Sequence, residues 1–223
     1  MQASVGLPEV YLVRKIVVLP SPNGRKLVLF GYNGDSSSVA AYETEDLEQG
    51  WTPVQSAPFH WSLSVATAGF PHAAVWVGGV VGQQGVFEFD LGNSTSNPVG
   101  SGLPPFGQPW SLAVLPDPFK LVAGVYTGGY DSGIYLYEAS AGNWALMSNG
   151  APPPLSTIPT AVLASRWNGT ILAGFSRAAT GSPADDLGLY RWQPALESWQ
   201  RLATAFSGAE ITIVLTRVDD PSA

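Results

Sequence analysis

The sequence has no cysteine, two histidines and two methionines, and only ten basic residues against seventeen acidic ones. Without cysteine there are no disulfides, no thiol nucleophile and no thiolate metal site. Charged residues make up 12% of the chain, about half the roughly 25% of an average globular protein. No stretch has more than two adjacent basic residues (Arg14-Lys15 and Arg25-Lys26), and the net charge is −7. The electrostatic footprint of a nucleic-acid partner is therefore missing, and nucleic acid and anionic membrane are discounted as partners. No apolar run approaches the ~18 residues of a membrane helix. The opening MQASVGLPEV lacks the basic and apolar regions of a signal peptide. A soluble chain is expected, with its compartment left open. His60 and His72 are flanked by aromatics and proline rather than carboxylates, so neither a metal nor a cofactor is expected.

What is present is turn and strand material. Apolar residues reach 45%, and 25 glycines and 19 prolines are spread along the whole length, which reads as many short strands punctuated by turns. Small-residue breaks follow an apolar run at Gly31, Gly78, Gly124 and Gly174, spaced 47, 46 and 50 residues apart. A second apolar run lies upstream of each: RKIVVLP from Arg14, WSLSVAT from Trp61, WSLAVLP from Trp110 and PTAVLAS from Pro159. A third follows downstream, ending at Tyr42, Phe89, Tyr137 and Trp192. A fourth carries a tryptophan in three cases, Trp51, Trp144 and Trp199, while the second unit offers only NPV at Asn97.

Four-stranded units recurring at such a period are the signature of a β-propeller. The expected fold is all-β: a single β-propeller-type domain over 1–223, with about four four-stranded blades. The units run approximately 9–59, 60–106, 107–155 and 156–206, with a partial fifth at 207–223. EITIVLTRV, residues 210–218, reads as the innermost strand of that partial unit. Left alone it would expose unpaired backbone, so it is expected to close a ring or to mediate self-association with a second subunit. The alternating aromatics Tyr135, Tyr137, Tyr190 and Trp192 share one face and are expected to fill the contact between neighbouring blades.

The turns Asp131-Ser132-Gly133 and Asp186-Leu187-Gly188 resemble degenerate Asp-boxes, the bacterial neuraminidase repeat of sialidase-like propellers, sortilin-like receptors and photosystem assembly factors. A full Asp-box reads S-x-D-x-G-x-x-W. Here the Ser position holds Gly129 and Ala184, and the Trp position holds Leu136 and Arg191. The other two units carry QQG at 83–85 and SSS at 36–38. The resemblance implies a folding role for Asp131 and Asp186, each closing its turn through backbone bonds. Gly133 and Gly188 are expected to take positive φ in these turns.

In such a fold two sets of loops meet on one face, around the channel mouth. Those entering the innermost strands bring Glu9, Tyr11, His60, Trp61, Gln108, Trp110, Thr157 and Glu210. Those between second and third strands bring Asp35, Gln84, Tyr130 and Arg177. The candidate ligand-binding set is Glu9, Tyr11, His60, Trp61, Gln108, Trp110, Tyr130, Arg177 and Glu210, where aromatic platforms lie beside carboxylate and amide groups. Trp61 and Trp110 occupy equivalent places in their units and also read as wedges between inner strands. A sialidase-like hydrolase would need an arginine triad, a Tyr/Glu nucleophile pair and an acid at the mouth. Of seven arginines, Arg166, Arg177, Arg191 and Arg201 fall on turns or outer strands, and the triad does not assemble. The expected function is a non-catalytic binding or scaffold module taking a carbohydrate or protein ligand. A sialidase-like glycoside hydrolase, or a fragment of one, and a self-assembling structural subunit are the alternatives.

Overall fold

The structure, a computed structural model, describes residues 6–7, 11–33, 39–67, 75–80, 83–90, 95–116, 119–152, 157–164, 170–177 and 187–202. Among these there are fifteen strands, one short 3-10 turn at Pro194–Leu196 and no α-helix. The first sheet runs in order through β1 (Tyr11–Ser21), β2 (Gly24–Asn33), β3 (Val39–Thr44), β4 (Thr52–Thr67), β5 (Val75–Val80), β6 (Gln83–Asp90) and β7 (Thr95–Pro98). The second holds β8 (Gln108–Pro116), β9 (Phe119–Tyr126), β10 (Gly133–Glu138) and β11 (Asn143–Leu146). The third holds β12 (Thr157–Ala164), β13 (Ile171–Arg177), β14 (Gly188–Gln193) and β15 (Ser198–Arg201). Every paired neighbour is antiparallel and consecutive in sequence. The expected all-β, blade-by-blade architecture is borne out. The segment 210–218 and the partial fifth unit lie outside the described residues.

The seven-stranded sheet is two blades fused. Strands separated by a turn were expected around Trp51 and Trp61, with a unit boundary between 59 and 60. Instead β4 is one strand of sixteen residues. Its first part pairs with β3 (Tyr42 opposite Pro53) as the outermost strand of the first blade, and its last part pairs with β5 (Val65 opposite Val77) as the innermost strand of the second. Pro53 and Pro58 read as breakers in sequence, but proline is tolerated where its missing N–H is not needed by the ladder.

Each innermost strand carries an irregularity near its start. The register shifts between Val13 and Lys15, between Pro109 and Ser111, and between Pro159 and Ala161. Arg14, Trp110 and Thr160 are thus the extra residues of equivalent bulges, which bend the strand and re-aim a side chain. In the second blade the shift is wider, between Phe59 and Ser64. Ser64 sits opposite Gly78 as Ser111 sits opposite Gly124. Trp61 therefore lies three residues before the matching serine and Trp110 one, so the two tryptophans are not equivalent in register. At Gly124 a Cβ would run into the Ser111 hydroxyl and the Pro159 backbone, 2.7 Å from its carbonyl oxygen. There the Ser111 Oγ–H donates to the Pro159 carbonyl at 3.3 Å across the contact between third and fourth blades.

The core lies between blades. Leu112, Val114, Leu121, Ala123, Val125, Tyr135 and Trp144 of the third blade pack on Val86 of the second, with Val99 and Leu103 alongside. Ala113, Leu115, Val122, Ile134 and Met147, from the third blade's other side, pack on Ile171, Ala173, Phe175, Tyr190 and Trp199 of the fourth. Tyr137 and Trp192 pack against these two clusters, so the alternating aromatics do fill inter-blade contacts.

A recurring clasp ties the outer tryptophans Trp144 and Trp199 to the segments preceding their blades. The Trp144 indole N–H donates to the Val99 carbonyl at 2.7 Å, and its backbone N–H donates to the Ser101 carbonyl at 2.7 Å. Trp199 repeats this with Met147 (2.7 Å) and Asn149 (2.8 Å). Beside each lies a glycine at positive φ, Gly102 (+97°) against Trp144 and Gly150 (+72°) against Trp199. Gly6 (+84°) holds the same place against Trp51. A Cβ on Gly102 would sit 2.6 Å from the Trp144 carbonyl oxygen, so only glycine lets the two backbones approach. The second blade has Ser96 at this position, opposite Phe89 as Trp144 is opposite Tyr137. It is also the blade entered through continuous β4, with no glycine-containing linker to clasp.

Trp144→Phe and Trp199→Phe, which keep a ring but remove the donor, should each cost about 1–3 kcal/mol, and the alanine variants roughly 3–5 kcal/mol. Gly102→Ala should destabilise well beyond Gly142→Ala, because Gly142 also has positive φ (+66°) but opens onto empty space. Urea unfolding measures both, and equal losses for the two glycine variants would dismiss the clasp.

Candidate functional site

The innermost strands begin, and the second strands end, at one end of the sheets, the mouth end. Tyr11 pairs with Asn33, Gln108 with Tyr126, and Thr157 with Arg177 at this rim. Trp110 stands on the bulge of β8, half-buried, and meets Tyr126 edge-on, with centroids 6.2 Å apart and planes at 89°. The backbone at His60 and Trp61 falls within the irregular stretch of β4. Glu9, Asp35 and Glu210 lie outside the described residues. By strand position, Tyr11, Gln108, Trp110, Tyr130 and Arg177 therefore belong to equivalent ends of different blades.

Of the candidate residues, Tyr130 stands at a cleft. It caps the turn from β9 to β10 and is 78% exposed. The turn is held by Thr127 and Ser132: the Ser132 Oγ accepts from the Thr127 backbone N–H at 2.9 Å and lies 3.1 Å from the Thr127 hydroxyl. The Thr127 Oγ1 in turn accepts from the Gly129 N–H at 3.1 Å, and the Ser132 N–H donates to the Gly129 carbonyl at 3.1 Å. This corrects the role expected for Asp131. Ser132 is buried and Asp131 exposed, so the neighbouring hydroxyl closes the turn. Asp131 instead offers its backbone carbonyl to the Tyr135 hydroxyl at 2.8 Å. Burial first, and the Asp131 carboxylate second, push the Tyr135 pKa up and keep that hydroxyl a donor. Asp186 lies outside the described residues. Gly133 is also corrected: its φ is not positive, and a Cβ there would meet only the tip of Leu146, 2.8 Å away. Gly188 does take positive φ, +132°.

The cleft itself, about 150 Å³, opens between third and fourth blades and is lined by Tyr130, Ser132, Gly133, Leu146, Met147, Ser148, Ala151, Pro152, Pro159 and Phe175. A second hollow of about 320 Å³ occupies the matching place one blade earlier, lined by Gly85, Val86, residues 98–105 and Phe106. Phe106 is 74% exposed and holds φ +67°, a conformation costly for a non-glycine residue. The linker Pro104-Pro105-Phe106-Gly107 turns on a Gly107 N–H to Pro104 carbonyl bond of 3.0 Å. Both hollows flank the clasped linkers, which no reading of single loops reveals. The PPFG turn was the one visible signal. Neither hollow has a carboxylate among its described lining residues, and no group of three or more His, Asp or Glu that could hold a metal occurs among the described residues.

No protein-family model and no curated protein matches the sequence. Solved structures do match in shape. A GH74 enzyme of Niastella koreensis aligns with a TM-score of 0.57 at 17% identity over 82% of this chain, and puromycin hydrolase with 0.56 at 13% identity over 88%. The architecture is that of a β-propeller. The chain spans less than a third of either neighbour, 29% and 30%. At these identities the likeness extends to the fold alone.

Ser132→Ala should lower stability by about 1–3 kcal/mol by stranding the Thr127 N–H, and Asp131→Ala should cost clearly less. Thermal melts of the two variants decide between a serine-closed and an aspartate-closed turn.

Proposed function

We propose that the chain is a non-catalytic binding or scaffold propeller that takes a carbohydrate at the mouth end. The observation that carries this reading is the cleft beside Tyr130. An aromatic ring stands free in solvent next to a hollow of mixed apolar and hydroxyl lining, with Ser132 and Ser148 at its wall. Sugars present an apolar C–H face and a rim of hydroxyls, which such a surface matches. At about 150 Å³ it has room for one ring rather than a whole drug-sized ligand, for which ~300 Å³ is typical. Glycoside hydrolysis needs two carboxyl groups facing one another across the bond, and no carboxylate lines this cleft among the described residues. That favours binding over the sialidase-like alternative, although the fold is one that a GH74 enzyme also uses. Tyr11, Gln108, Trp110 and Arg177 stand at the same end as further contacts for a longer ligand.

A glycan array should give selective binding, and Tyr130→Ala should weaken it by about tenfold or more, some 1.4 kcal/mol, with an unchanged thermal midpoint. Turnover of fluorogenic glycosides would overturn the proposal, as would full binding by the Tyr130→Ala variant.

A further inference from the structure

The two clasped junctions carry their hollows at the same register position. In the second blade Pro98 lies opposite Phe87, and in the third Leu146 lies opposite Tyr135. The next residue in each case, Val99 or Met147, donates its N–H back to the sheet, to the Val86 carbonyl at 2.9 Å or the Ile134 carbonyl at 2.8 Å. The clasped glycine then follows (Gly102, Gly150), and after it a proline (Pro104, Pro152). Pro98, Val99 and Pro104 line the hollow of about 320 Å³, while Leu146, Met147 and Pro152 line the cleft of about 150 Å³. The two are one feature repeated, a blade apart.

Each has an exposed aromatic ring, supplied by a different segment. At the cleft the ring is Tyr130, on the turn from β9 to β10. The corresponding turn of the second blade, VVGQQG at 80–85, has no aromatic residue, and the ring there is Phe106 of the linker. Phe106 is held out under strain. The Gly107 N–H to Pro104 carbonyl bond closes a four-residue turn whose third residue is Phe106 at φ +67°, a place usually given to Gly or Asn. The ring is 74% exposed, so burial recovers little of that strain. Gly107 is buried, and a Cβ there would come 2.7 Å from a Val125 methyl, so the turn is seated firmly on the third blade. A strained turn, so seated, that presents a bulky ring to solvent beside a hollow is arranged for contact with something outside the chain.

We infer that the Phe106 hollow is a second subsite for the carbohydrate of the Tyr130 cleft, so that one linear oligosaccharide lies across both junctions with a sugar ring on each aromatic. This subsite rests on the carbohydrate function proposed for the cleft and adds to it the length of the ligand. Each lining includes a serine, Ser101 or Ser148, to meet a hydroxyl rim, and neither includes a charged side chain among its described residues, which suits neutral sugars. Stacked sheets lie about 10 Å apart, so hollows one blade apart are beyond the reach of a single ring, whereas several linked rings span them. Once one ring is bound, the other subsite meets its own ring at the high effective concentration of a linked pair. The series does not continue to the junction of first and second blades, where β4 runs through without a linker.

Titration of the full chain with neutral homo-oligomers of glucose, xylose, mannose and galactose, each from single sugar to hexamer, tests this. In the series that binds, affinity should climb by about tenfold or more from the shortest binding oligomer to the longest. Phe106→Asn, which places a residue tolerant of positive φ in the turn, should abolish the climb, leave the affinity of the shortest oligomer unchanged and leave the thermal midpoint equal or higher. Tyr130→Ala should weaken short and long oligomers alike. Affinity independent of length, or a climb that survives Phe106→Asn, would remove the second subsite while the function of the cleft stands on the Tyr130→Ala result. A lower midpoint in Phe106→Asn would make the ring a packing residue and overturn the subsite as well. Binding of none of these oligomers would overturn both the subsite and the carbohydrate function of the cleft.

Discussion

The interaction on which the rest depends is the hydrogen bond from an outer-strand indole into the backbone of the segment that precedes its blade. A four-stranded antiparallel sheet has no core of its own; it must bury a face against a neighbour. Apolar contact supplies most of the energy but is nondirectional, so it leaves the angle between blades poorly fixed. The Trp144 and Trp199 clasps supply direction. Each pins two linker carbonyls, one with the indole N–H and one with the backbone N–H, at 2.7–2.8 Å, at a place where glycine permits two backbone segments to touch.

The candidate site is a by-product of this device. A linker drawn onto the next blade's outer strand leaves a hollow beside it, and the turn from second to third strand overhangs that hollow. Tyr130 and Phe106 stand there because the loops that close the clasped junctions end in solvent. Recognition at blade junctions rather than on the central axis also gives a chain with several junctions several related hollows. A ligand with repeating chemistry suits that arrangement.

The strands were legible because alternation and turn residues are local properties: Gly31, Gly78, Gly124 and Gly174 mark the period, and Tyr135 and Tyr137 mark a face. What was illegible depends on contacts some 45 residues apart. Trp144 and Gly102 each look ordinary alone, and only their approach shows why both are there. The Asp131-Ser132 turn was misassigned because adjacent aspartate and serine offer the same local hydrogen-bonding chemistry; burial chose the serine. Trp61 and Trp110 look equivalent by letter, yet the wide shift between Phe59 and Ser64 separates them by register. Tyr11, Gln108 and Trp110 fall at the strand ends that share one end of the sheets with the β9–β10 turn, and that a cleft lies beside Tyr130 depends on contacts between blades that no single loop displays.

Strand β4 has a consequence for how the molecule comes apart. Between second and third blades, and between third and fourth, a glycine-bearing joint separates two hydrogen-bonded ladders, so one sheet can melt while its neighbour stays zipped. Between first and second there is no joint. A single backbone serves as the last rung of one ladder and the first of the next, and fraying on one side removes the template of the other. The N-terminal pair should therefore behave as one cooperative foldon, twice the size of each blade that follows it. The joints at Gly102 and Gly150 are where evolution could splice in or remove a blade without tearing a sheet.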